Sequence, residues 1–242
     1  MKLLPKDWLI PTSRIDHGDW AYRPPQCYAV RERFRLIASL LPAHVTSILE
    51  VGFGSGIFMP ELAARCRALC GVDVHDRVYE VQARLAEYGV RAHLVREDAA
   101  HTSFADSSFD VIVAVSALEF IQDIHGAARE FARLLKPNGR LLAVMPQTSS
   151  LLDLALLVIP GEHAQRDYGN RREAVVPALM RHFEQIRKRR FLLVYTAYEL
   201  KPRKPQHSIR KGTSGEVEVA GSSCGARVEP FQTPVLNRLG HV

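Results

Sequence analysis

No apolar run in these 242 residues exceeds six; the longest is LALLVI at 154–159. A bilayer-crossing helix needs roughly 20. The opening MKLLPKDWLI also has no apolar stretch of signal-peptide length, so the expectation is a soluble, cytoplasmic protein. Cysteine is scarce, with Cys27, Cys66, Cys70 and Cys224 too few and too scattered for a disulfide framework. Cys66 and Cys70 stand four apart in a stretch read as a helix, and no Cys or His pair with ligand spacing accompanies them. They are expected to be buried free thiols, with no metal site. A strong charge bias is missing too. Lys and Arg exceed Asp and Glu by 32 to 26, but residues 201–242 hold seven basic and three acidic residues, against 25 and 23 before them. A nearly neutral folded part gives charge-based nucleic-acid binding no support. The basic tail reads as a solvated segment.

What the chain has is apolar residues, 47% of the total, enough for the core of one α/β domain. Residues 1–27 carry four prolines and several aromatics and read as an irregular arm. Val30, Phe34, Ile37 and Leu41 then recur at helical spacing until Pro42. From residue 46 strand and helix patterns alternate. TSILEV, LCGVDV, AHLVR, FDVIVAVS and RLLAVMP read as strands. FMPELAARCRAL reads as a helix with Pro60 in its first turn. A second helix has Asp76 as its cap, a stripe of Val78, Val81, Leu85 and Tyr88, and Gly89 at its end. A third lies around 124–136 and stops at KPNG. Such alternation predicts a doubly wound, mainly parallel sheet with helices on both faces, Rossmann-like and seven-stranded once FEQIRKRRFLLVYTAYELK adds two strands. Residues 147–182 break the rhythm and read as helices around a loop near 160–171, an insertion or lid. Residues 203–242 turn to Lys, Pro, Gly and Ser, a composition expected to be disordered.

The first strand ends in EVGFGSG at 50–56. Glycines there permit positive φ and let a ligand lie against bare backbone, although such a turn also occurs without a ligand. The dinucleotide pattern G-x-G-x-x-G fails, because Ile57 stands where the third glycine belongs and Gly56 comes one place early. The phosphate-loop pattern fails for want of Gly-Lys-Ser/Thr. Asp73 ends the next strand, where a carboxylate can accept hydrogen bonds from both hydroxyls of a ribose. Its alternative reading is a loop or helix-capping acid.

With these residues in place, ILEVGFGSG, GVD, EDAAHTSFADSSFDVIVAVSALEFIQD and LKPNGRLLAVMP resemble, in order and spacing, the motifs of class I S-adenosylmethionine-dependent methyltransferases. The likeness is to the small-molecule branch that includes ubiquinone and menaquinone methyltransferases. It covers residues 28–146, and more weakly extends to 202. It implies S-adenosyl-L-methionine as cofactor. It also implies that Glu50 steadies the loop or faces the amino-acid end, and that Gly52, Gly54 and Gly56 admit that end. Asp73 would hold the ribose and Val74 touch the adenine. Asp98 and Ala99 would read the adenine amino edge. Ser116 and Leu118 would lie under the methionine portion. Relatives often show Glu-His after the fourth strand; here the pair is Glu119-Phe120.

The acceptor is expected to be a small organic molecule. VSALEF carries neither the Asn/Asp-Pro-Pro-aromatic motif of amino-methylating DNA enzymes nor the Pro-Cys of cytosine C5 methylation. Trp20, Tyr22, His125, His163 and Tyr168 are candidates for the acceptor side, and His125, His163 and Tyr168 for proton transfer. Solvated histidines and a packed arm are the alternatives. A lipid or quinone acceptor at a membrane surface is a further reading, with LLDLALLVI as an interfacial helix and RKRR at 187–190 facing anionic headgroups. A catalytically inactive cofactor-binding partner protein and a nicotinamide-dependent reductase are the remaining alternatives. Oligomeric state is not readable.

Overall fold

The computed structural model describes residues 1–13, 16, 18–147, 171–192 and 194–203. Its centre is a short apolar strand, β1 (Val45–Val51), hydrogen-bonded on both sides. On one side it pairs in parallel with β2 (Cys66–Asp73), which pairs with β3 (His93–Arg96). On the other it pairs with β4 (Phe109–Val115), which pairs with β5 (Leu135–Pro146). β7 (Tyr195–Pro202) runs antiparallel to β5, and β6 (Phe183–Phe191) antiparallel to β7. The order is β3-β2-β1-β4-β5-β7-β6. This is the mainly parallel, seven-stranded Rossmann-like sheet expected. The chain works outward from β1 to β3 and then returns to β4, so strand order reverses between β1 and β4. Crevices for ligands open at such a reversal, at the carboxyl ends of the strands.

Successive strand residues point to opposite faces, and both faces are apolar. Ile48, Val111 and Val113 join α1 (Gln26–Leu40), α2 (Met59–Ala63) and α3 (Val78–Glu87) in one cluster. Leu49, Ile112 and Ala114 join α4 (Ile124–Leu134) and α5 (Arg171–His182) in the other. Fully burying one such aliphatic side chain contributes about 1.5–3 kcal/mol. Two filled faces are therefore what keeps the carboxyl edge rigid.

Several expectations need correction. The helix read across 58–69 is only Met59–Ala63, and Cys66 and Cys70 lie in β2, not on a helix. Pairing of Cys66 with Val45 and of Cys70 with Leu49 recruits those residues into the sheet, and this long-range pairing overrides a helix-compatible local pattern. Both thiols are half-buried, and burial pushes each up to about 11. Asp76 does not cap α3; Arg77 occupies that position without a side-chain cap bond. Val78, Val81 and Leu85 are buried as expected, while Tyr88 is 38% exposed, its ring edge-on to Trp8. Gly89 ends the helix with φ +91°, and Val90 N–H donates to Leu85 O at 2.8 Å. KPNG lies inside β5, at the register shift opposite Phe109–Val111.

The arm holds 3₁₀ turns at Lys6–Trp8 and Gly18–Tyr22 and forms one compact unit with the sheet. Leu4 is 1% exposed, and its N–H donates to Ile57 O at 2.9 Å. Of the insertion read at 147–182 the described residues are Gln147 and α5, which packs on the sheet, and of the tail only Arg203; the rest lies outside the described residues. Cys224 lies outside them as well.

Candidate functional site

The carboxyl ends of β1, β2 and β4 border a cavity of ≈ 510 Å³, a size suited to a cofactor and a small molecule. Its floor begins at the glycine loop. Gly52, Gly54 and Gly56 have φ of +69°, +50° and +73°, a region L side chains rarely enter. A Cβ at Gly52 would also collide with the Ala117 methyl, and one at Gly54 would stand 3.3 Å from the Asp16 carboxylate. Gly52 and Gly54 line the cavity. Gly56 does not; a Cβ there would press on Val81 and Leu85 of α3, so its bareness serves helix packing.

Asp73 ties the loop to β2. Its Oδ2 accepts from Gly54 N–H at 2.8 Å and its Oδ1 from Val74 N–H at 2.7 Å. His75 Nε2 lies 3.2 Å from Gly54 O and 3.9 Å from Asp73 Oδ2. Glu50 is 3% exposed. Burial, and then the Asp73 charge, hold its carboxyl well above the usual carboxylate range. Its Oε2 has no hydrogen-bond partner among the described residues. Buried polar atoms are nearly always satisfied, so an orphaned oxygen in a cavity wall marks a place where a ligand group fits.

Val74, Asp98, Ala99 and Ser116 line the same cavity. Asp98 Oδ1 accepts from Ala100 N–H at 2.9 Å. Ser116 sits at φ +51°, with a buried Oγ that lacks a partner among the described residues. Leu118 is not part of the wall; it is 1% exposed and packs with Phe131 and Ile124 in the core behind it.

Of the acceptor-side candidates, Trp20 lines the cavity. Tyr22 instead donates its hydroxyl to Leu4 O at 2.5 Å and clasps the arm. His125 lies on α4 away from the cavity. His163 and Tyr168 lie outside the described residues. RKRR sits on edge strand β6, where Arg187 bonds Glu199 at 2.5 Å and Arg189 bonds Ser39 Oγ at 3.1 Å. Among the described residues no helix is long and apolar enough to cross a membrane.

Among the wall residues that escaped the reading of the sequence are Asp16, His75 and Glu119. Asp16 and His75 have no local pattern to announce them, although His75 stands two residues past Asp73. Glu119 had a signal in the Glu-Phe pair after β4. It is 1% exposed, and neither carboxylate oxygen has a hydrogen-bond partner among the described residues. Burial pushes its carboxyl up to about 7, against the weaker pull of its own nearby backbone N–H and of the Arg172 and Arg33 guanidiniums.

A methyltransferase-domain family model matches residues 49–143. The ubiquinone biosynthesis O-methyltransferase of Azorhizobium caulinodans is 27% identical over 129 residues, 53% of this chain and 51% of that protein. An uncharacterized methyltransferase of Bacillus subtilis, YcgJ, is 30% identical over 51% of this chain and 50% of its own length. The chain thus spans about half the length of these relatives. The N-methyltransferase NodS of Bradyrhizobium japonicum, solved with S-adenosyl-L-homocysteine, shares the fold at a TM-score of 0.57 and 18% identity, over 79% of this chain and 95% of its own. Motif order, sheet order and the matched segment agree: residues 49–143 match a methyltransferase domain, and the chain is similar there to S-adenosylmethionine-dependent methyltransferases.

Proposed function

We propose that the chain methylates a small organic acceptor, holding S-adenosyl-L-methionine across the glycine loop. The carrying observation is the charge of the wall. Asp16, Asp73, Glu97 and Asp98 line one cavity, beside the buried Glu50 carboxyl. That wall repels a pyrophosphate and favours a cofactor bearing an ammonium and a sulfonium. When bound, S-adenosyl-L-methionine supplies a methyl group on a positively charged sulfur, already activated for displacement.

The chain's own residues then bind and orient. Bare backbone at Gly52 and Gly54 admits the amino-acid end, and the orphaned Glu50 oxygen meets its ammonium. Asp73 receives ribose hydroxyls beside the bonds it already accepts, and Val74 lies along the adenine. Asp98, with the Ala99 backbone, takes the adenine amino edge, and Ser116 meets the methionine portion. Gly56 and Leu118 support the wall from behind. Alignment in a site shielded from water is the main requirement of such a displacement. Isothermal calorimetry with S-adenosyl-L-homocysteine and with NAD tests the reading. Binding of the first and not the second is expected; the reverse would sink it.

A further inference from the structure

The same cavity wall also carries basic side chains. Glu119, in the 3₁₀ turn Leu118–Phe120 after β4, lines it together with Arg33 of α1 and Arg172 of α5. Both carboxylate oxygens of Glu119 are buried without a hydrogen-bond partner among the described residues, and so is Arg33 Nε. The Arg33 guanidinium lies 4.9 Å above the Phe34 ring, a contact that leaves its N–H groups unspent. A buried acceptor and a buried donor facing one space, neither satisfied by the other, define the complement. It is a group that donates one hydrogen bond and accepts another.

We propose that Glu119, Arg33 and Arg172 form the acceptor subsite, and that the group methylated there is a weakly acidic hydroxyl, phenolic or enolic, not an amine. The hydroxyl donates its proton to a Glu119 oxygen, and the O–H electron pair stays on the acceptor oxygen, facing the guanidiniums. That oxygen then attacks the methyl carbon; the C–S electron pair returns to sulfur, leaving neutral S-adenosyl-L-homocysteine. Glu119 leaves the step protonated and returns its proton to water on product release. The buried Arg33 Nε–H needs an acceptor, which an oxyanion supplies and an ammonium, having no lone pair, does not. Burial holds the Glu119 carboxyl near 7, where a general base is most effective around neutral pH. Phe120 and Ile121 beside it complete the wall.

The inference rests on the cofactor reading above, and the test separates the two. Protein saturated with S-adenosyl-L-homocysteine is titrated with 4-nitrophenol, read by its absorbance, and with 4-nitrobenzylamine. Absent homocysteine-compound binding would sink the cofactor reading itself. With it bound, the phenol is expected to bind at least tenfold more tightly than the amine. Glu119→Gln and Arg33→Gln are each expected to weaken phenol binding about tenfold or more, through loss of a charge-assisted hydrogen bond, with S-adenosyl-L-homocysteine affinity kept. Melting curves on both variants confirm that they are folded. A phenol that binds no better than the amine, or that binds both variants as it binds the parent, overturns the proposal.

Discussion

Asp73 and Glu119 are both carboxylates in one cavity, and their surroundings send them to opposite tasks. Asp73 accepts backbone N–H bonds at both oxygens. Asp73→Ala removes charge-assisted bonds worth about 1.5–3 kcal/mol each, so S-adenosyl-L-homocysteine affinity should fall at least about tenfold. Asp73→Asn, which from its shape alone looks mild, should lose nearly as much. Its amide nitrogen must face either Gly54 N–H or Val74 N–H, donor against donor. Calorimetry on both variants checks this, and an Asn variant that binds like the parent would show that the loop does not need both acceptors. Glu119 is held protonated by burial up to about 7, against an ordinary value of 4.5. The folded state therefore binds the proton more tightly, and stability is lost as pH rises from about 4.5 to about 7. Glu119→Gln should be more stable than the parent at pH 8 by up to about 3 kcal/mol, with the gain gone near pH 4. Urea melts at the two pH values read it, and a gain independent of pH would mean that Glu119 does not titrate in the fold.

Between β3 and β4 the loop is fixed by α4, not by its own sequence. Glu130 Oε1 accepts from Thr102 N–H at 2.9 Å and from its hydroxyl at 2.6 Å, while Arg133 bonds Glu130 at 2.7 Å and Asp106 at 2.6 Å. Burial alone would raise the Glu130 carboxyl, but the Arg133 and Thr102 bonds outweigh it and hold it at about 2. The stability this confers is fully present above about 4.5 and lost as pH falls toward 2. Glu130→Gln should cost about 2 kcal/mol at pH 7, and the deficit should shrink at pH 3 in denaturant titrations; a deficit unchanged at pH 3 would rule out the ionic contribution. This network was not legible in the sequence, because its partners lie 27 and 28 residues apart. Elements whose signals are local were legible. The α1 stripe, the glycine stop of α3 and the continuous apolar run of β4 appear as read. The boundary of α2 was not, because long-range pairing with Val45 claims Cys66 for the sheet. The site divides the same way. Gly52, Gly54 and Asp73 were readable from motif spacing, whereas Arg33, Asp16 and Arg172 reach the cavity only through the packing of α1, the arm and α5.

At the scale of the whole molecule, the sheet has helices on two faces, and the arm closes the remaining side of the cavity with Thr12, Ser13, Asp16 and Trp20. The arm is fastened at its beginning and its end. Leu4 is buried in the α1–α3 cluster, and Lys2 N–H donates to Glu61 at 2.6 Å. At the far end the Tyr22 hydroxyl bonds Leu4 O. Between these clasps Asp16 holds the turn through Thr12 Oγ1 at 2.8 Å and Gly18 N–H at 3.2 Å. The cavity wall thus depends on a leucine whose position in the sequence gave no hint of it. Leu4→Ala leaves a hole in a filled core and should cost about 2–5 kcal/mol in urea melts. It should also weaken S-adenosyl-L-homocysteine binding severalfold, because the loosened arm no longer holds Asp16 over Gly54. Tyr22→Phe removes only the clasp bond, worth about 1 kcal/mol, and should weaken binding less. The two variants together separate a wall from a fastening. Stability that falls in both while calorimetric affinity stays at the parent value would show that the arm braces the fold and takes no part in holding the cofactor.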